Sequence, residues 1–429
     1  MTKVELLSPA GTLEKLKIAF DFGADAVYGG VSHFSLRIRS GKEFSMEEFA
    51  EGIKYAHSRG KKVYATINGF PFNSQINLLK KHIIAMAELK PDAFIVATPG
   101  VLKLCGELAP NMPLHLSTQA NVMNVLDAQI YYDMGATRII TAREISLKDL
   151  IAIKKELPDL ELEVFVHGSM CFAYSGRCLI STLQSGRVPN RGSCANDCRF
   201  EYEMYAANPE TGTLFKLEED AGVGTYIMNA KDLNLASHMK EILDSGVVDS
   251  VKIEGRTKTA YYAATTAKAY RMAIDDYYED KLDNSKYQYE LESLQNRGYT
   301  DAYLVSRPFE KHDTQSLDFS MQLGTHQVSG QVDVEGRYFL CKYKTLPGDE
   351  LEVHAPLGTK IELVDNEVGS TYERDGKIYL KLKQLLCENK KILESVHSGN
   401  LNPITLPTKM PAYTFFRISS EKIPVCITT

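Results

Sequence analysis

Four of the eight cysteines in the 429-residue chain lie between Cys171 and Cys198, with Cys178 and Cys194 between them; six, fifteen and three residues separate them in turn. Four thiolates are the number that a tetrahedral zinc or a [4Fe–4S] cube requires, and both need deprotonated sulfur. Structural zinc sites favour paired short spacings, and only Cys194 with Cys198 comes near one. A cube is wider and takes ligands from scattered loop positions. The small residues Gly168, Ser169, Ser175, Gly176, Gly192 and Ser193 let backbone amides approach its sulfides. Spacing alone leaves an iron–sulfur cluster, a zinc site and redox thiols all open. Cys105, Cys341, Cys387 and Cys426 stand singly in apolar surroundings and read as inert core thiols.

The first two clustered cysteines follow ELEVFV, an alternating apolar run that reads as a strand, so the elements around them decide where they point. Similar short runs start at Val4, Ala26, Val63, Ala93, Leu114, Arg138, Leu162 and Ser250. Amphipathic helical patterns separate them; Ile76, Leu79, Ile83 and Met86 share one helical face. Eight strands alternating with helices predict an α/β fold, a closed (β/α)8 TIM-like barrel, with an open doubly wound sheet as the lesser alternative. The polar and glycine-rich segments SPAG, NGFPFN, STQANV, AREIS, HGSMC and EGRTKT each follow a strand. In such a barrel they share the face where chemistry is done. We divide the chain into a barrel over 1–280 with a Cys-rich insertion at about 167–225, a helical linker over 281–314, and a small β-barrel domain with an extended tail over 315–429. The insertion contains an irregular hairpin around Asn208 and Gly212, and TYIMNAKDL reads as a short extra strand.

Apolar residues make up 44% and charged residues 24%, which are globular values, and no apolar run reaches the length of a membrane span. The start, MTKVELLSPAG, lacks the apolar centre of a signal peptide, so the expected location is the cytoplasm, where clustered cysteines bind metal or act in redox chemistry more often than they form disulfides. The net charge of −6 excludes a global attraction to nucleic acid; a polyanion partner would need a local basic patch.

ELLSPAG, GADAVYGG, LSTQANV, EVFVHGSMCFAYSGRCLIS, the Cys194 to Cys198 segment, TYIMNAKDL and VKIEGRTKT resemble the collagenase-like peptidase family, and within it the prephenate-dependent tRNA uridine hydroxylases. That resemblance covers the whole chain. It implies oxygen-independent hydroxylation of the wobble uridine of tRNA to 5-hydroxyuridine, a [4Fe–4S] cluster on Cys171, Cys178, Cys194 and Cys198, and prephenate as co-substrate or activator. An electron donor and iron–sulfur assembly proteins are then expected partners, and a membrane is not. The segment between Arg199 and Gly224 is shorter than in some family members, which bears on contacts with RNA made there.

Prephenate carries two carboxylates, which guanidinium groups bind as a fork. Arg37, Arg39, Arg143, Arg177 and Arg256 all follow strands or lie in the cysteine loop, and Arg143 and Arg256 follow theirs most closely. Each alone is as readily a structural arginine. His167, at a strand end four residues before Cys171, is the candidate for proton transfer or for a hydrogen bond to cluster sulfur, against a reading as a packed loop histidine. Lys252 and Glu254 alternate with Val251 and Ile253 and so face the barrel interior, as catalytic groups or as an internal ion pair. Tyr28, Asn68 and Gln119 are candidate pocket residues, and Tyr174 is a candidate for stacking on a base. The C-terminal segment PGDELEV resembles small barrels of translation proteins and reads as a tRNA docking surface or a structural lid. The rival functions are a peptidase, a hydroxylase of a ribosomal RNA cytidine, and a zinc-stabilised RNA-binding protein. Neither an HExxH nor a GxSxG motif is present to support the first, and the overall acidity weakens the last.

Overall fold

The structure is a computed structural model that describes residues 3–31, 34–36, 43–217, 228–317, 319–400 and 402–422. Eight parallel strands form its centre: Glu5–Pro9, Ala26–Gly29, Lys62–Ile67, Ala93–Val96, Leu114–Leu116, Arg138–Ile140, Glu161–Ser169 and Ser250–Ile253. Each pairs with the next in sequence, and the eighth pairs with both the seventh and the first, so the sheet closes into the expected TIM-like barrel. Helices cover it, and the first residue of several is set by a side-chain cap on a backbone amide, as with Thr12, Ser45, Asn124, Ser146 and Thr259. In the helix Ile76–Glu88 the face read from the sequence is the covered one: Leu79, Ile83 and Met86 are buried. No helix among the described residues is long and apolar enough to cross a membrane.

The seam between the seventh and eighth strands contains an extra residue. Lys252 lies opposite Phe165, but the next partner of Ile253 is His167, which leaves Val166 bulged. A bulge changes the phase of alternation, so side chains beyond it swap faces. Past the seam the seventh strand continues and pairs antiparallel with Asp232–Asn234, which overlaps only the end of TYIMNAKDL; residues 225–227 of that segment lie outside the described residues. The hairpin also forms, from Met204–Ala207 and Leu214–Leu217.

Two expectations about the C-terminal half are corrected. The segment read as a helical linker is part of the barrel: Tyr287 and Leu291 of the helix Asn284–Glu292, with Leu294 and Leu304, are buried in the barrel's own core. The Pro- and Thr-rich stretch read as a tail also joins a seven-stranded antiparallel sheet, through Ile404–Thr405 at its edge, while residues 423–429 lie outside the described residues. Phe415–Ser419 forms an inner strand of this sheet, between Glu350–His354 and His326–Val332. The prolines stand outside that strand, at its approach, where no ladder donor is lost.

This sheet, curled as a half-barrel, is pinned to the barrel by one buried cation. Arg417 donates to Glu352 of its own sheet at 2.6 Å, and to Glu290 and the Tyr261 hydroxyl on the barrel's last helices at 2.7 and 2.9 Å. Burial alone would raise the Glu352 carboxyl; the His326 hydrogen bond, Arg417 and the Tyr289 hydroxyl outweigh it and hold the pKa at about 2. A depressed carboxyl stabilises the fold above the unfolded pKa of about 4.3, and that stability is lost as pH falls through that range toward 2. Arg417→Ala leaves two carboxylates buried without their cation, and we expect a loss of about 3–5 kcal/mol in urea unfolding at neutral pH. A loss below about 1 kcal/mol, the value of an exposed pair, would contradict this role.

Candidate active site

Inside the barrel the strands bring ionisable groups into one connected set. Lys252 donates to Glu163 at 2.8 Å, Arg138 to Glu163 at 3.0 Å and to Glu5 at 2.6 Å, and the Tyr64 hydroxyl to Glu5 at 2.7 Å. Glu163 and Lys252 are almost fully buried, where an unpaired charge would be costly, so each fixes the other. Burial pushes the Lys252 ammonium down and the Glu163 charge opposes this; the face of Tyr28 lies 4.3 Å from it. The expected internal Lys–Glu pair therefore exists, but its carboxylate is Glu163 and not Glu254.

Above this layer the mouth of the barrel opens into a cavity lined by Tyr28, Asn68, Gln119, Arg143, Glu254 and Cys171, among others. Arg143 has its guanidinium 4.2 Å from the Phe165 ring and donates to Glu254 at 3.2 Å, so both its plane and one edge are fixed. The Tyr28 hydroxyl donates to the Ile253 carbonyl, and Asn68 accepts from the Leu36 amide. The side-chain oxygen of Gln119 is buried without a hydrogen-bond partner among the described residues. Arg256 also lines the cavity, but its donors are engaged: Ser35 at 2.6 Å, Thr66 at 2.9 Å and Glu43 at 3.1 Å. It ties the loop after the second strand to the third and eighth strands. Arg177 is exposed and donates through Nε to the Gln119 carbonyl at 2.9 Å. Arg37 and Arg39 lie outside the described residues.

His167 is corrected. Alternation from Glu163 and Phe165 would point it inward, but the bulge at Val166 places it opposite Ile253, on the outer face of the sheet. There it is buried among the rings of Tyr262, Tyr270 and Tyr299, with Nδ1 3.4 Å from the Tyr270 hydroxyl. It does not line the mouth cavity and makes no dyad with Cys171. The adjoining Gly168 has φ +111°, and a Cβ there would lie 2.4 Å from the Glu254 carbonyl, so the chain can turn out of the seam only at glycine.

That turn delivers the cysteine loop. Ser175, with φ +40°, is held in the left-handed region by Glu144, which accepts from its amide at 2.8 Å and from its hydroxyl; the Arg143 amide donates to the Ser175 hydroxyl at 3.0 Å. Asn190 bridges the loop, accepting from the Cys178 amide and donating to the Gly176 carbonyl. The thiols sense one another: burial pushes Cys178 up, and Cys171 and Cys194 add to it. Burial likewise pushes Cys198 up, Arg199 opposes, and the other three cysteines reinforce the rise. Backbone amides reach two of the sulfurs, Ile180 to Cys178 at 3.3 Å and Asn196 to Cys194 at 3.4 Å. Among the described residues, no three His, Cys, Asp or Glu side chains are grouped so as to hold a single metal ion.

Sequence reasoning missed several residues that complete the site. Glu163 lies on the same face as Phe165 and was legible from alternation. Glu43 and Arg297 were not, since they come from far along the chain; Arg297 is held by Asp232 and is within electrostatic range of Cys171 and Cys198.

Burial, with Lys258 nearby, pushes the His167 pKa down to about 3 from 6.5. The unfolded chain takes up this proton near 6.5 and the folded chain does not until about 3, so His167 lowers stability progressively across that window as pH falls. Nitrogen NMR of the ring is expected to show the neutral form throughout pH 5–8; a titration near 6.5 would put the ring in solvent or in the mouth.

The family model for Peptidase family U32 matches residues 11–314. A Helicobacter pylori protein named tRNA hydroxylation protein P is 59% identical over 97% of this chain and 99% of its own length. The Escherichia coli protein of the same name is 37% identical over 93% of this chain and 98% of its own length. A second Escherichia coli relative, named 23S rRNA 5-hydroxycytidine C2501 synthase, is 32% identical over 71% of this chain and 46% of its own. With seven of the eight barrel strands and the whole cysteine loop inside the matched region, the chain belongs to peptidase family U32.

Proposed function

We propose that this protein is a tRNA-modifying enzyme that hydroxylates the wobble uridine to 5-hydroxyuridine without molecular oxygen, using a [4Fe–4S] cluster on Cys171, Cys178, Cys194 and Cys198 and prephenate as co-substrate or activator. Relatives named for tRNA hydroxylation, similar over nearly their whole length, support the reaction class. The observation that carries the chemical reading is the gathering of four thiols in one loop system, one of which, Cys171, also lines the barrel mouth beside Arg143.

The residues suit a cube better than a single zinc. Structural zinc sites usually take paired short spacings, and only Cys194 with Cys198 comes near one, whereas a wider cube accepts ligands from scattered loop positions. The amides of Ile180 and Asn196 donate to ligand sulfur, one of the means by which a protein tunes a cluster. Arg199 and Arg297 place positive charge beside a group that is net negative once its thiols are deprotonated. When bound, such a cluster supplies one-electron redox chemistry, and an electron donor sets its state.

At the mouth, Arg143 is the side chain fitted to take a ligand carboxylate. Its plane is fixed against Phe165, and its contact with Glu254 is the one a carboxylate would share or displace. Arg256, engaged with Glu43, Ser35 and Thr66, is better read as shaping the cavity wall. Lys252, paired with Glu163, forms the floor of the cavity. Glu254 is the polar group left to hold or move a proton at the mouth, with its backbone fixed by the His167 and Tyr262 contacts.

Three measurements test this. Protein purified without air is expected to be brown, with iron lost in Cys194→Ala and retained in Cys341→Ala; equal iron in the two variants would remove the ligand assignment. Disrupting the gene is expected to abolish 5-hydroxyuridine-derived nucleosides in bulk tRNA, and their persistence in a strain with no parallel oxygen-dependent route would overturn the reaction. Arg143→Lys, which keeps charge but loses the fork, is expected to raise the prephenate concentration for half-maximal activity by roughly tenfold, with iron unchanged. An unchanged value would exclude Arg143 from the carboxylate site.

A further inference from the structure

The chain as a whole is acidic, yet the residues from Met170 to Phe200 contain four arginines, no lysine and one acid, Asp197. Of these arginines, Arg199 is turned inward onto the Ala230 and Met170 carbonyls, while Arg177 is exposed and Arg191 reaches across to the loop after the third strand. There it donates to Gln75 at 3.0 Å and lays its guanidinium 3.9 Å from the ring centre of Phe72. Phe72 is nevertheless 57% exposed, so much of its side chain remains accessible to a further planar group. The two loops are joined at this point, for the Phe70 amide donates to the Asn190 carbonyl at 3.1 Å. Large apolar side chains are exposed on the same rim: Leu179 is 67% exposed and, with Arg177, borders a hollow against Cys178, and Tyr174 is 44% exposed.

Exposed apolar and aromatic side chains set among guanidinium groups match single-stranded nucleic acid, whose bases stack on flat faces while its phosphates seek positive charge. Arginine and aromatic residues also serve protein interfaces; what favours RNA here is that the patch adjoins the loop that lines the barrel mouth, where the proposed substrate base would enter. The charge balance also fits, because this is a local basic patch on an acidic chain.

We propose that the Phe72–Arg191 stack is a base-stacking platform that grips an unpaired nucleotide next to the target base, with Arg177 on the rim neutralising the intervening backbone. This deepens the tRNA reading and rests on it: a base can enter the mouth only if the strand is splayed, and a neighbouring base stacked on the rim holds it so. The platform sets position and affinity, and takes no part in the redox step.

The test uses the iron-loaded protein and a short RNA stem-loop with an unmodified uridine at the wobble position, with a fully paired RNA duplex as comparison. Phe72→Ala and Arg191→Gln are each expected to weaken stem-loop binding by roughly tenfold, with iron content and melting temperature unchanged. Phe72→Trp is expected to restore binding and Arg191→Lys to fail to do so, a pattern that a merely structural role would not produce. Leu126→Ala, at an 80% exposed position on another helix, is the control and is expected to bind as the parent does. Unchanged stem-loop binding in both Phe72→Ala and Arg191→Gln would overturn the platform while leaving the tRNA reading intact. A parent protein that binds neither RNA, or binds the duplex as well as the stem-loop, would overturn the platform together with the substrate.

Discussion

The seam where the seventh strand meets the eighth is the constraint on which the rest depends. Barrel closure requires Glu161–Ser169 and Ser250–Ile253 to pair, and the single bulged residue in that pairing decides which side chains face inward. Before it, Glu163 and Phe165 point into the barrel, where they meet Lys252 and Arg143. After it, His167 points outward, and Gly168 turns the chain away from the Glu254 carbonyl toward the cysteines. Without the extra residue, a histidine would occupy the mouth and the loop would leave on the other face. Bulges at barrel rims beside functional sites commonly serve to re-aim side chains in this way.

The second feature is the economy of charge inside the barrel. Glu5, Arg138, Glu163 and Lys252 form a continuous set in which every carboxylate contacts a cation. Such sets add little net stability over an apolar filling, but they fix the orientation of the side chains just below the mouth. Arg143 and Glu254 extend the pattern upward into the cavity, where both line its wall. The cysteine loop adds its own cations, Arg199 and Arg297, at the place where thiolate charge would collect.

The C-terminal sheet is joined to the barrel through the buried guanidinium of Arg417 and through Phe415, which belongs to the barrel core. The sheet and barrel therefore share side chains, and the residues between them pack as barrel structure. A separable lid on a linker would show neither feature.

The eight strands, their order and the positions of the four cysteines were legible in the amino-acid sequence, because each strand announces itself by a local apolar run and parallel neighbours follow chain order. The shared face of Lys252 and Glu254 was legible too, since alternation is a local property. What only the tertiary structure decided lies wherever local pattern and long-range pairing disagree. The outward turn of His167 comes from a register shift against a strand some 85 residues away, which no local alternation records. The role of Phe415–Ser419 was hidden behind a proline-rich approach, and Arg256 found Glu43 across 213 positions. Periodicity says which way a side chain leaves its own backbone; which partner waits there is settled only when distant strands choose their register.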